Sequence, residues 1–289
     1  MIFIFDHVEL DHNKKGRFLP REIPLTELKT CVKKWQTLMY EQDGWNSLYL
    51  ENHDQPRSVS RFASDAPEHR VASSKLLATY LGCQAGTPFI YEGQELGMTN
   101  VPWEWPIEKY QDLLTLNNWA ELKRKSKDSA DFKTAMEEYR KKSRDNARTP
   151  MQWTSGPNAG FTDAAVTPWM SVNDNYPKIN VEMQLKDSES PFFYWSSMLK
   201  VRKQHKNILV YGGFQMIDMD NDKILAYKRT GVEQDILVVC NFSDGGVSWD
   251  GFADVAVREV LLSNFDRRNV DLKDVVELRP YEAIAVLLQ

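Results

Sequence analysis

With 289 residues, 42% of them hydrophobic, the chain is long enough to bury the core of one large or two medium domains. A net charge of -5 without any basic block argues against nucleic acid as a partner; the longest basic stretch, Leu122 to Lys127, is flanked by acidic residues and reads as a solvated helix face. No run of about 18 apolar residues is present, so no membrane-spanning helix is expected, and the scattered Cys31, Cys83 and Cys240 offer neither a disulfide framework nor metal-ligand spacing, which fits a reducing compartment such as the cytoplasm.

Met1 to Phe5 is a short apolar run ended by Asp6 and His7. It lacks the basic segment and the length of a signal peptide and reads as a buried strand, so the chain is expected to begin inside a fold. A polar loop with Gly16 and Pro20 follows. Leu25 to Met39 has helical spacing, with Leu25, Leu28, Val32, Trp35 and Leu38 or Met39 on one face. Ser47 to Leu50 is the next predicted strand, and it runs into Glu51-Asn-His-Asp54. Val71 to Leu81 reads as a mostly buried helix ending near Gly82. Thr87 to Tyr91 is a third strand, followed by Glu92-Gly-Gln-Glu95. This alternation predicts an α/β unit whose parallel sheet has helical crossovers, with reactive groups gathered at the C-terminal strand ends.

From about residue 98 to 191 the alternation gives way to tryptophans, prolines, asparagines and a charged helix over about Trp119 to Lys142, which predicts an irregular insertion over the sheet's active end. Phe192 to His205 reads as the last helix of a first domain covering residues 1–206. Over residues 207–289 short strands recur at Phe214–Ile217, Ile224–Lys228, Ile236–Asn241, Ala256–Leu262 and Ala283–Leu288, separated by turn signals. That spacing predicts an antiparallel β-sandwich. Asn241-Phe-Ser243 is a glycosylation sequon.

Glu51-Asn-His-Asp54 is the densest polar group after any strand. Burying it without partners would cost several kcal/mol, so its members face a cleft or one another. Glu51-Asn-His-Asp-Gln-Pro-Arg57 resembles the fourth signature region of α-glucosidases in the α-amylase superfamily. Thr87-Pro-Phe-Ile-Tyr-Glu-Gly-Gln-Glu-Leu-Gly97 is similar to that family's segment on the eighth barrel strand. Ser143-Arg-Asp-Asn-Ala-Arg-Thr-Pro-Met-Gln-Trp153 resembles a segment of its maltases and oligo-1,6-glucosidases, and Gly156 to Phe161 and Pro168-Trp169 continue the likeness.

The resemblance implies the C-terminal part of a (β/α)8 TIM barrel, strands six to eight, followed by the sandwich. It implies hydrolysis of terminal α-linked glucose from maltose, isomaltose or short oligosaccharides with retention. Asp54 matches the carboxylate that stabilises the oxocarbenium-like transition state, a role that suits a negative group near a developing positive charge. His53 matches a histidine that hydrogen-bonds the same glucose. Arg148 matches an arginine that holds the terminal glucose with an aspartate from an earlier loop, a task suited to a forked guanidinium. Arg144 is equally well read as a salt-bridge residue, and Gln94, Glu95 and Asp145 as structural. Trp103, Trp105, Trp153 and Trp169 are read as packing of the insertion or as sugar platforms. Tyr91 is expected in the core. His7 reads as a cleft residue or an ordinary strand end, and His12, His69 and His205 carry no signal.

In the family the nucleophile and the general acid follow barrel strands four and five. Counting from strand six, this chain is expected to lack both, together with the usual partner of Arg148. Three strands do not close an eight-stranded barrel, so the apolar edges at Met1–Phe5 and Thr87–Tyr91 are expected to be unpaired. A truncated, inactive sugar-binding remnant, or a chain that works with a complementing chain, is the alternative to a complete enzyme. The heavy subunits of amino-acid transporters share this fold without its chemistry, but they carry a membrane span. No phosphate-binding glycine loop and no EF-hand spacing is present, so no cofactor and no metal is expected.

Overall fold

The computed structural model describes residues 1–13, 18–251, 255–272 and 275–289. Gly16 of the expected polar loop lies outside them. The chain opens with β1 (Ile2–Phe3), a one-turn helix α1 (Asp6–Glu9), α2 (Leu25–Glu41), β2 (Asn46–Leu48), α3 (Ser58–Phe62), α4 (Arg70–Gly82) and β3 (Thr87–Pro88). The three strands form one parallel sheet in the order β1-β2-β3, with Ile2 opposite Asn46 and Ser47 opposite Thr87. This is the α/β alternation expected from the sequence.

Both later strands are shorter than their apolar runs suggest. The carbonyl of Tyr49 accepts a hydrogen bond from His7 Nε2 at 2.7 Å instead of from a neighbouring strand. Beyond β3, Phe89 adds one last ladder bond to Leu48 O at 2.7 Å, and the chain then turns, with Gln94 N donating to Tyr91 O at 2.9 Å. Met1 to Phe5 is not a buried strand: only Ile4 is in the core, while Met1, Ile2, Phe3 and Phe5 are exposed. The reason is that β1 has one partner strand among the described residues. Phe3 stacks only on Tyr49 and Phe89, with ring centroids 5.7 and 4.7 Å away.

The helix α2 buries Leu28, Lys29, Cys31, Val32 and Gln36, whereas Leu38 is exposed. The buried stripe is thus partly polar, because α2 touches two layers. Leu28 and Val32 enter the main core, while Lys29 Nζ donates to the carbonyls of Asp218 and Asn221 at 2.7 and 2.6 Å in the sandwich. By contrast, α4 is buried from Ser73 through Gly82, as expected for a helix without a polar face.

The charged segment of the insertion is two helices, α5 (Leu113–Lys125) and α6 (Ser129–Lys142), not one. Side chains of the intervening residues compete for the backbone: Ser126 Oγ accepts from Asp128 N at 3.0 Å, and Asp128 Oδ1 caps α6 at Ala130 N, 2.8 Å away. The insertion continues through the one-turn helices α7 (Asp145–Arg148) and α8 (Val181–Gln184). Helix α9 (Pro191–Gln204) and the short α10 (Lys206–Leu209) then lead to the β part.

That part comprises β4 (Gly213–Ile217), β5 (Ile224–Thr230), β6 (Asp235–Asn241), β7 (Val247–Trp249), β8 (Val257–Ser263), β9 (Val276–Leu278) and β10 (Ala283–Leu288). An antiparallel sheet ordered β4-β5-β6-β10-β8 is covered on one face by the β7–β9 pair. Its other face shares one continuous core with α2, α4 and α9, including Leu76, Leu77, Trp195, Met198, Leu225, Tyr227 and Ala285. Asn241 of the sequon is fully buried, and its Nδ2 donates to Gly245 O and Arg279 O, both at 2.8 Å, so it offers no surface for a glycan.

Candidate active site

Strand β2 ends at Leu48, and after Tyr49 and Leu50 the next four residues do two jobs. Glu51 is buried and points inward. Its Oε1 accepts from Arg57 Nη1 at 3.0 Å and its Oε2 from Ser58 N at 2.5 Å. Arg57, fully buried, also donates to Glu92 O at 2.6 Å and to Ala147 O at 3.5 Å, and lies over the Tyr91 ring. One guanidinium therefore ties the end of β2 to the turn after β3 and to α7. Asn52 caps the loop from the other side, its Oδ1 accepting from Asp54 N at 2.7 Å.

This loop carries Asp54 outward, with 38% of its side chain exposed. Asp54 Oδ1 accepts from Arg148 Nη2 at 2.8 Å, and Arg144 Nε lies 3.2 Å from the same oxygen. Arg148 also donates through Nε to His53 O at 2.9 Å. The His53 ring is largely exposed, and its Nε2 stands 3.6 Å from Asp54 Oδ2, beyond a hydrogen bond. The structure thus brings Asp54, His53 and Arg148 together.

Two groups at this site carried no role in the sequence reading. Asp112 is buried, and its Oδ1 lies 3.3 Å from Arg148 Nη1 and 4.0 Å from Arg144 Nη1, so it backs both arginines from behind. Its Oδ2 caps α5 at Thr115 N. The only sequence signal was that cap, an Asp directly before the apolar Leu113-Leu114. His12 lines a small pocket of about 50 Å³ with Phe18, Asp54, Gln55, Asp112 and Arg144. Burial lowers the pKa of His12.

Asp145 does not face the pocket. It is buried and accepts from Gln111 N and Asp112 N at 2.6 and 3.0 Å, which fixes the loop that presents Asp112. Gln94 and Glu95 brace the turn after β3, with Gln94 Oε1 accepting from Tyr91 N and Glu95 Oε2 from Gly93 N. Burial raises the pKa of Glu95 against those backbone bonds. Tyr91 is half-buried and donates to Ala147 O at 3.1 Å. Trp105 is core and donates to Asp174 Oδ2 at 3.1 Å, whereas Trp103, Trp153 and Trp169 are exposed. His7 is held beneath the Tyr49 ring, and its removal from water lowers its pKa to about 4.

Three nearby acidic residues are committed: Glu51 serves Arg57, Asp112 the two arginines, and Glu95 a backbone turn. Asp54 presents its carboxylate outward beside Arg148. Such a pair can hold hydroxyl groups and stabilise positive charge developing nearby.

Residues 1–212 match the family described as alpha amylase, catalytic domain, and residues 214–283 match the maltogenic amylase C-terminal domain. The chain is 46% identical over 285 residues to an oligo-1,6-glucosidase of Halalkalibacterium halodurans, covering 98% of this chain and 49% of that protein. It is 39% identical over 289 residues to an alpha-glucosidase of Schizosaccharomyces pombe, covering 100% of this chain and 50% of the relative. Among solved structures, trehalose-6-phosphate hydrolase of Bacillus licheniformis superimposes with a TM-score of 0.90 at 37% identity, over 99% of this chain and 51% of the other. The isomaltulose synthase of Klebsiella sp. LX3 does so with a TM-score of 0.90 at 34% identity, over 99% and 50%. The chain spans about half the length of the relatives it matches.

Proposed function

Because the chain belongs to the α-amylase catalytic-domain family, as a partial TIM barrel followed by its β-sandwich, we propose that it forms the glucose-holding side of a retaining α-glucosidase site. The substrates are maltose, isomaltose or short α-linked oligosaccharides. The observation that carries this reading is Asp54, turned outward at the end of β2 and gripped by Arg148 at 2.8 Å. Asp54 stabilises the oxocarbenium-like transition state, Arg148 and His53 hold the hydroxyls of the terminal glucose, and Asp112 positions Arg148.

Nucleophile and proton donor are assigned to none of Glu51, Glu95 and Asp112, which are committed to structural partners. Both roles belong to further βα units that pair with the open edges of the sheet. The pocket beside Asp54 supports this division. Its volume of about 50 Å³ is far below the roughly 300–1,000 Å³ of an enclosed ligand site, so the remaining walls come from elsewhere.

The test measures glucose released from maltose and isomaltose. It compares the purified chain alone with the chain mixed with a polypeptide carrying the first five βα units of an oligo-1,6-glucosidase. Glucose release by the mixture, lost when Asp54→Asn replaces the wild type, is the expected result. Hydrolysis by the chain alone would overturn the division of the site, and hydrolysis that survives Asp54→Asn would overturn the role of Asp54. A mixture that associates yet stays inactive would also count against the proposal.

A further inference from the structure

A second cavity, of about 740 Å³, lies on the flank of the molecule where the loop before α2, α3, the start of the insertion and the sandwich meet. Asp54, His53 and Arg148 are not among its lining residues. Its volume falls within the roughly 300–1,000 Å³ of small-molecule sites.

The lining has three parts. Trp103 presents a half-exposed indole, and the guanidinium of Arg140 sits 5.0 Å from its ring centroid. The main chain of Arg140 is anchored, its carbonyl accepting from Asn100 Nδ2 at 2.9 Å. The cation packs on the indole, which forms an aromatic platform. The floor is charged but satisfied: Asp11 is buried between Arg61, which donates Nε at 2.9 Å, and Lys142 at 2.7 Å. Although burial alone would raise its pKa, these two cations bring it below the ordinary carboxylate range. At the rim, Asp65 and Asp244 are exposed, and their side chains make no hydrogen bond or ion pair among the described residues.

An aromatic face sharing a cavity with free carboxylates suits one chemical class. Ring C–H groups of a sugar stack on an indole, and neighbouring hydroxyls donate to carboxylate oxygens. Of the cations that line the cavity, Arg61 and Arg21 are paired with Asp11 and Glu27, and Asp65 and Asp244 disfavour an anionic ligand. A metal ion is not indicated, because no three His, Cys, Asp or Glu side chains converge as ligands among the described residues. We infer that this groove binds a neutral oligosaccharide, as a second carbohydrate site separate from the one at Asp54. Trp103 is its platform, and Asp65 and Asp244 are its hydroxyl acceptors.

The experiment titrates maltotriose into the purified chain by calorimetry, with saturation-transfer NMR as a second readout. Trp103→Ala is expected to weaken binding at least about tenfold, a loss of about 1.4 kcal/mol. Asp65→Asn combined with Asp244→Asn should weaken it about threefold, while Asp54→Asn should leave this event within about twofold of wild type. Trp103 is half-exposed, so the variant should keep the wild-type melting curve, and Trp103→Phe should bind at an intermediate level. Failure of the wild-type chain to bind maltotriose at about 10 mM, or binding lost in Asp54→Asn but kept in Trp103→Ala, would overturn the inference.

Discussion

Replacing Arg57 by methionine strikes the point where fold and site meet. Arg57 is fully buried, and its partner Glu51 is 1% exposed. Methionine fills part of the volume but leaves the Glu51 carboxylate with one remaining donor, the Ser58 N–H. Removing one member of a buried ion pair costs about 3–5 kcal/mol, because the other charge is stranded. Losing the donor to Glu92 O adds up to about 1 kcal/mol for the carbonyl left unpaired, while Ala147 O keeps the Tyr91 hydroxyl. The expected loss is therefore about 3–6 kcal/mol, comparable to the whole stability of a marginal domain. Urea unfolding followed by far-ultraviolet circular dichroism measures it. The double variant Arg57→Met with Glu51→Leu removes both charges and should be more stable than Arg57→Met alone by about 1–2 kcal/mol. A single-variant loss below about 1 kcal/mol, or a double variant less stable than the single, would refute the view that this pair is a buried, mutually dependent unit.

His7 should make stability depend on pH. Its folded pKa of about 4 lies below the ordinary histidine value of 6.5, through removal from water. Arg61 opposes the charged form and Asp6 favours it. Between these values the unfolded chain holds the extra proton, so stability is fully present above pH 6.5 and falls as the pH drops toward 4. The loss is up to about 3 kcal/mol at about 1.4 kcal/mol per unit, and His7→Asn should flatten that slope in unfolding measurements at several pH values. Gly86 has φ +134°, and a Cβ there would meet Asn46 O at 2.5 Å. Gly86→Ala should therefore cost about 1–3 kcal/mol in a thermal melt. Asp112→Ala should destabilise by about 1 kcal/mol more than Asp112→Asn, because asparagine keeps the α5 cap; equal losses would show that the cap does not matter.

Much of the α/β alternation was legible because its signal is local. Apolar runs ending in turn residues located β2, β3, α2 and α4 to within a few residues. The strand ends were less legible, since they are set by non-local bonds: β2 stops where His7, 42 positions earlier, takes the Tyr49 carbonyl. The buried polar members of α2 went unread for a similar reason: the partners of Lys29 are carbonyls 189 and 192 positions away. At the site, Asp54, His53 and Arg148 were legible through the motifs that contain them. Asp112 was not, because it sits in no motif and meets Arg148 across 36 positions. Nor could spacing show that Trp105 is core while Trp103 and Trp153 are exposed.

The two ends of the parallel sheet are stabilised in different ways, and the difference explains where chemistry is placed. At the N-terminal end of β3, Arg202 donates to the carbonyls of Gly82 and Gln84 at 2.6 Å and to Gly86 O, so one buried guanidinium saturates the connection from α4. At the C-terminal end two arginines meet the same short stretch of backbone. Arg57 reaches the carbonyl of Ala147 from the core side, and the next residue, Arg148, reaches Asp54 on the open side. The one-turn helix α7 cannot hold its own position by helical propensity. It is held by Asp145 on the α5 loop and by Asn146, whose Nδ2 donates to Tyr139 O and Ser143 O. The direction of Arg148 is thus set by the packing of an irregular insertion, and the outward turn of Asp54 by the burial of Glu51 three residues before it. A change that loosens either buried network should blunt sugar binding at Asp54 without touching a residue that contacts sugar.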